Sequence, residues 1–292
     1  MRALMSERGL APNKRFGQNF LIEPRILDII VRLADLAPND IVLEVGTGMG
    51  TLTRRLAEDP SLLLSVEVDS GLYILSRDLL GNCEKLRLIH GDIMEGKTRL
   101  NSEVCERLDQ ALVAPNSGDF KVVSNLPYNI STPFLTTLIL RYGMPDRLVL
   151  MLQKELADNL VAQPGSKDYS PLSILVQTLA DVRVDRILGR EVFWPRPKVE
   201  SALVVIESHR IDPEPIARAL PLVRFLFGER RKSIGGLLKR LPPTMGGASL
   251  DEEERARLLG SVDLTGKERA EELPPEAFLA LERAIANSSW ER

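Results

Sequence analysis

"DIVLEVGTGMGTLTRRLAE", residues 40–58, carries the reading on which the fold turns. Residues 41–45 are an apolar run broken by one acid, Glu44, too continuous for a strand with one wet face. A strand buried on both faces belongs in a parallel sheet covered by helices. Gly46, Gly48 and Gly50 follow at alternate positions, and "TLTRRLAE" then reads as a helix. Glycines let the backbone turn sharply and come close to a bound molecule, while a helix N-terminus attracts electron-rich groups. A tight strand-to-helix junction without a ligand has the same appearance.

The alternation continues on both sides. Before the turn lies the helical "PRILDIIVRLADLA"; after it come "LLLSVEV", "KLRLIH", "FKVVSN" and "RLVLMLQ" as strands, with helical stretches between them. These features predict a doubly wound α/β domain with a mostly parallel sheet. Residues 96–118 read as an inserted helix and surface loop. "VRVDRIL" and "SALVVIE" are expected to finish the sheet as an antiparallel edge, joined through "FWPRPKVE". From about residue 211 the strands stop, and four helical stretches predict a small helical second domain.

The chain has 292 residues, 44% hydrophobic and 27% charged, enough for two cores and far from a disordered composition. No apolar stretch is long enough to span a bilayer and no secretory leader is visible, so a cytoplasmic protein without membrane contact is expected. Cys83 and Cys105 lack CxxC spacing, and are expected to be buried small hydrophobes. His90 and His209 neighbour neither a nucleophile nor a second ligand, which removes most support for metal or Ser-His chemistry. The net charge of -3 argues against indiscriminate nucleic-acid binding. Charge is nevertheless segregated. "RFLFGERRKSIGGLLKR" sets Arg224, Arg230, Arg231, Lys232, Lys239 and Arg240 against Glu229 alone, and acid-rich stretches come after it.

The spacing GxGxG differs from the dinucleotide pattern GxGxxG, and with Glu44 just ahead it matches S-adenosylmethionine (SAM) sites. Glu67, ending the next strand, is placed to accept bonds from two ribose hydroxyls; a solvated carboxylate is the alternative. Asp92, at the following strand end, is placed to meet the adenine amine of the cofactor or else to cap the segment "IMEG". Asn125 opens "NLPY" on the same sheet edge. An adenine amine is a poor nucleophile, because its lone pair is delocalised into the ring. The Asn125 side-chain oxygen and the Leu126 carbonyl can accept its N–H groups, Pro127 can set the turn, and Tyr128 can stack on a base swung out of its helix.

With these residues laid out, the chain resembles the ribosomal RNA adenine dimethyltransferase family of the KsgA type, which modifies small-subunit rRNA. The likeness rests on "KRFGQNFL", "LEVGTGMGTLT", "VEVD", "GDI", "SNLPYNIS", "LMLQKELADNLVAQPGSKDYSPLSILVQ", "FWPRPKVESALV" and "FLFGERRKSIGGLL". It implies cofactor contacts at Gln18, Asn19, Leu21, Gly46, Glu67, Asp92 and Asn125, beside the glycine turn with Glu44, Gly48 and Gly50. It further implies that Phe193 helps Tyr128 sandwich the adenine; from the sequence alone Phe193 is equally a core aromatic. A basic helix matching "GERRKSIGGLLKR" would set Arg230, Arg231 and Lys232, with Lys239 and Arg240, on rRNA phosphates; a solvated helix face is the alternative. Thr47 stands where the family commonly has proline, "LGRE" lacks the usual prolines, and the 96–118 loop is expanded.

The expectation is therefore an N-terminal segment, 1–22, closing over the cofactor, a methyltransferase domain, 23–210, and a helical rRNA-binding domain, 211–292. The implied reaction is SAM-dependent dimethylation of two adjacent adenines near the 3′ end of small-subunit rRNA, by a monomer acting on an immature subunit. Two alternatives stand beside it: an erythromycin-resistance-type enzyme acting on large-subunit rRNA, and a mainly non-catalytic assembly checkpoint.

Overall fold

The computed structural model describes residues 2–60, 62–242, 245 and 251–288. Contacts divide it into two compact units, Met1–Ala157 with Asp181–His209, and Asp158–Ala180 with Arg210–Arg292.

The first unit is built on a seven-stranded sheet. β2 (Ile41–Val45), β3 (Leu62–Glu67), β4 (Leu86–His90), β5 (Phe120–Asn125) and β6 (Arg147–Gln153) run parallel, and β9 (Ser201–Ser208) lies antiparallel to β6. With β7 (Ala180–Leu188) at the edge, the spatial order is β4-β3-β2-β5-β6-β9-β7. Every residue of β2 is buried, Glu44 included, as expected of a strand covered on both faces. Between the strands run α2 (Pro24–Ala34), α3 (Thr51–Leu56), α4 (Ser70–Leu80), α5 (Ser102–Leu112), α6 (Ser131–Tyr142) and α7 (Lys154–Val161). Local chemistry sets their starts. Glu23 caps α2 ahead of Pro24, Asp69 accepts from Gly71 and Leu72 N–H at α4, and Asn101 accepts from Glu103 and Val104 N–H at α5. The helix expected within 96–118 is thus α5.

An N-terminal helix, α1 (Arg2–Glu7), precedes β1 (Phe20–Leu21), which pairs antiparallel with β8 (Phe193–Trp194). At the other end of the sheet Lys121 is buried against Asp40 at 2.7 Å, both 5% exposed or less at the side chain. The thiols are free; Cys105 is buried, whereas Cys83 is only half-buried rather than a core residue.

The second unit is helical: α8 (Pro171–Leu179), α9 (Glu214–Gly228), α10 (Ile234–Leu238), α11 (Glu252–Gly260) and α12 (Pro275–Ser288). It does not start cleanly at residue 211, because residues 158–180 belong to it. The cause is an apolar one. Tyr169, just before α8, meets Phe227 of α9 edge to face, and Phe227 in turn meets Phe278 of α12. α10 also begins later than the helical reading of 230–241. Ser233 is extended and bridges Arg269, Ile234 N–H donates to Glu268 O, and residues 229–232 close a turn through Lys232 N–H and Glu229 O. Arg230, Arg231 and Lys232 therefore do not lie on a helix.

Candidate active site

The C-terminal ends of β2, β3, β4 and β5 open into one shared cavity. It lies where β2 has β3 on one side and β5 on the other, the place where ligands settle on such sheets.

On the β2 side, Gly46 and Gly48 have φ of 87° and 58°, left-handed angles that strain any other residue. A Cβ on Gly48 would stand 3.3 Å from the Phe20 ring, so the turn comes up close against the N-terminal segment. Gly48 N–H donates to Glu67 Oε2 at 2.8 Å and Asp69 N–H to Oε1 at 2.9 Å. Burial raises the Glu67 carboxyl above its ordinary range, against the backbone N–H groups of Asp69, Gly48 and Val68. A carboxylate has about four acceptor positions, more than these bonds fill, which leaves capacity for a ribose hydroxyl.

The facing wall is Phe16, Gly17, Gln18, Asn19 and Phe20. Gln18 Nε2 donates to Asp69 Oδ2 at 3.1 Å, and Asn13 N–H donates to Gln18 Oε1 at 2.6 Å. On the β5 side stand Asn125, Leu126, Pro127 and Tyr128. Asn125 Nδ2 donates to the Asn19 carbonyl at 2.9 Å, while the Tyr128 hydroxyl and Ser201 Oγ are 2.6 Å apart. Burial pushes the Tyr128 phenol above its ordinary value, against the Ser201 bond.

A sequence profile described as ribosomal RNA adenine dimethylase matches residues 9–279. The chain belongs to that family. "Ribosomal RNA small subunit methyltransferase A" of Geobacter metallireducens is 36% identical over 285 residues, covering 96% of this chain and 98% of the relative. The protein of the same description from Geobacillus kaustophilus is 33% identical, with 98% and 94% covered. A dimethyladenosine transferase from Plasmodium falciparum superposes with a TM-score of 0.71 at 25% identity, covering 90% of this chain and 95% of that one. The 23S rRNA methyltransferase ErmE shares the fold, with a TM-score of 0.61 at 23% identity and coverage of 92% and 100%. This dimethylase is an rRNA adenine dimethyltransferase that uses SAM.

Of the residues singled out in the dimethylase sequence, Gln18, Asn19, Gly46, Gly48, Glu67, Asp92, Asn125, Leu126, Pro127 and Tyr128 all line this cavity. Asp92 also accepts Met94 N–H at 2.9 Å, so it caps its own turn and still faces the opening. Four of the expected cofactor and catalytic residues do not line it. Glu44 is 1% exposed beneath the turn, accepting from Thr53 Oγ1 at 2.7 Å and Ser65 Oγ at 2.6 Å through Oε2. Burial pushes its carboxyl up to about 8, against those hydroxyls. Gly50, at φ 74°, starts α3 against Leu80. Leu21 pairs with Phe193 in the small ladder, and both side chains are in the apolar core with Leu27, Leu188 and Leu203. Phe193 is 1% exposed and is not among the residues that line the cavity.

Sequence reasoning missed Ser201, which holds Tyr128, and Asp69, which holds Gln18. An aspartate directly before "SGLYILSRDLL" is a capping signal that could have revealed Asp69. Of the predicted rRNA-contacting cations, Arg230 donates to Glu271 Oε2 at 2.5 Å and to the Lys167 carbonyl at 2.9 Å. Lys232 and Arg240 both pair with Glu229, whose carboxyl they hold below its ordinary value. Arg231 and Lys239 are exposed and have no carboxylate partner among the described residues.

Proposed function

We propose that the protein dimethylates the N6 amines of two adjacent adenines near the 3′ end of small-subunit rRNA, working in the cytoplasm as a monomer on an immature subunit. One observation carries the reading: the "NLPY" residues and the glycine turn with Glu67 and Asp92 line a single cavity.

The residues suit the cofactor. Glu67 keeps acceptor positions for the ribose hydroxyls, Asp92 suits the adenine amine, and Gly46 and Gly48 leave room where a side chain would intrude. Gln18, Asn19 and the N-terminal segment 1–22 close the other side, with Leu21 acting through its packing in the ladder. The bound cofactor supplies an electrophilic methyl group. Asn125 Oδ1 and the Leu126 carbonyl accept the two N–H groups of the target amine and draw its lone pair out of the ring. Pro127 shapes that turn, and Tyr128, tethered by Ser201, stacks on the flipped base. No strong base is needed, since the methylated ammonium is acidic; alignment and electrostatics do most of the catalysis. Arg231 and Lys239 of the helical unit meet rRNA phosphates, and Arg230 serves as an internal bracket.

Mass spectrometry of rRNA after incubation with SAM tests the reading on free small-subunit rRNA, immature small subunits and large subunits. Dimethylation is expected in the immature small subunits. Methylation confined to large subunits would replace this substrate by the erythromycin-resistance type, and none anywhere would leave an assembly checkpoint as the role.

A further inference from the structure

Asn125 is useful as an acceptor only in one of two orientations of its amide. Oδ1 can receive the N–H of an adenine amine; Nδ2 would confront donor with donor. What sets the orientation comes from the far end of the sequence. Nδ2 lies 2.9 Å from the Asn19 carbonyl oxygen, and the reversed amide would put two oxygens at that distance. Opposed lone pairs forbid it.

The carbonyl is itself well held. Asn19 Nδ2 donates to Gly17 O at 3.0 Å, Gln18 is bound to Asp69, and β1 pairs with β8. The same strip of chain walls the cofactor side, where Phe20 meets Gly48. It therefore touches both halves of the site. We propose that the Asn19 main-chain carbonyl is a positioning group for methyl transfer, holding Asn125 with Oδ1 toward the target amine, so that the acceptor half is competent only with the N-terminal segment docked. This role rests on the proposed adenine methylation.

Asn125→Asp separates orientation from simple acceptor strength. A carboxylate at this position would face the Asn19 carbonyl with an oxygen. Only the protonated acid can restore the bond, its O–H donating to Asn19 and its C=O left for the amine. Turnover of the variant on immature small subunits is expected to be at least about 100-fold below wild type near pH 8 and to recover at least about tenfold toward pH 6, at equal folded fraction. A flat profile, or one rising with pH, overturns the assignment. Replacing Phe20 by its α-hydroxy acid analogue turns the 19–20 amide into an ester with a weaker carbonyl acceptor. Turnover should fall about 3- to 10-fold with SAM affinity within about twofold. The same change at Ile22 removes a strand bond but leaves the Asn19 carbonyl intact, and should leave turnover within about twofold. Equal losses in both esters, or none in the first, also overturn it. Wild type run alongside keeps the readings apart: an inactive wild type sinks the proposed substrate, while an active wild type with an unresponsive variant sinks the role of Asn19.

Discussion

Glu44→Gln should stabilise this protein at neutral pH, by an amount its surroundings set. Glu44 is 1% exposed, and burial pushes its carboxyl from an ordinary 4.5 up to about 8, against the Ser65 and Thr53 hydroxyls. Between those two values the folded chain keeps a proton that the unfolded chain releases. Stability then falls as pH rises, by about 1.4 kcal/mol per pH unit, until the folded carboxyl ionises. The wild type has lost about 3 kcal/mol by about pH 7 on this account. Glutamine is neutral throughout, and its single oxygen can accept both hydroxyls as Glu44 Oε2 does. Denaturant unfolding followed by the fluorescence of Trp194, with Trp290 replaced by Phe, reports on the unit containing β8. Subtracting the two proteins' curves cancels the other titrating groups. They should be nearly equal in stability near pH 5, with the variant about 3 kcal/mol ahead near pH 7 and SAM affinity unchanged. Parallel pH curves, or a variant less stable at neutral pH, would refute the claim that Glu44 is held protonated.

Phe193→Ala should cost about 3–5 kcal/mol in thermal unfolding because the ring is core, whereas Phe193→Leu should keep single-turnover methylation near wild type; a collapse of turnover in a well-folded Leu variant would restore a stacking role. Tyr128→Phe and Ser201→Ala remove the same bond, each expected to lower kcat/KM by about 1 kcal/mol of transition-state stabilisation, and a double-mutant cycle should show no further loss when they are combined. Arg230→Ala should lower the melting temperature without altering the salt dependence of rRNA binding. Arg231→Ala should do the reverse, reducing the slope of log K against log salt by about 1.

The sheet was legible because β2, β3, β5 and β6 are mostly apolar and buried, and the cavity because each polar strand end falls on the same edge. Glu44 was harder to place. Strand alternation reports direction only when one face is wet, and both Leu43 and Val45 are buried beside it. β1 and β8 are two residues each, too short for any period, so nothing in the sequence sent Phe193 inward beside Leu21. The stretch 158–180 is apolar enough to need a core, but composition does not say which; Tyr169 on Phe227 decides. The residues of "RRKS" have helical propensity, but Lys232 N–H closes a turn on Glu229 O and Ser233 bridges Arg269, a residue distant in sequence.

The pairing of β1 with β8 has a consequence for synthesis. Phe20 and Leu21 leave the ribosome early, yet their partners, Trp194 and Phe193, emerge only after most of the first unit and an excursion into the second have been made. At about 5–20 residues per second, that wait lasts on the order of ten to several tens of seconds. Until then the wall of Phe16 to Phe20 has no strand to dock on, and a nascent chain with its parallel strands in place still has an unfinished cofactor pocket. The cofactor pocket is thus among the last parts of the first unit to be completed during synthesis.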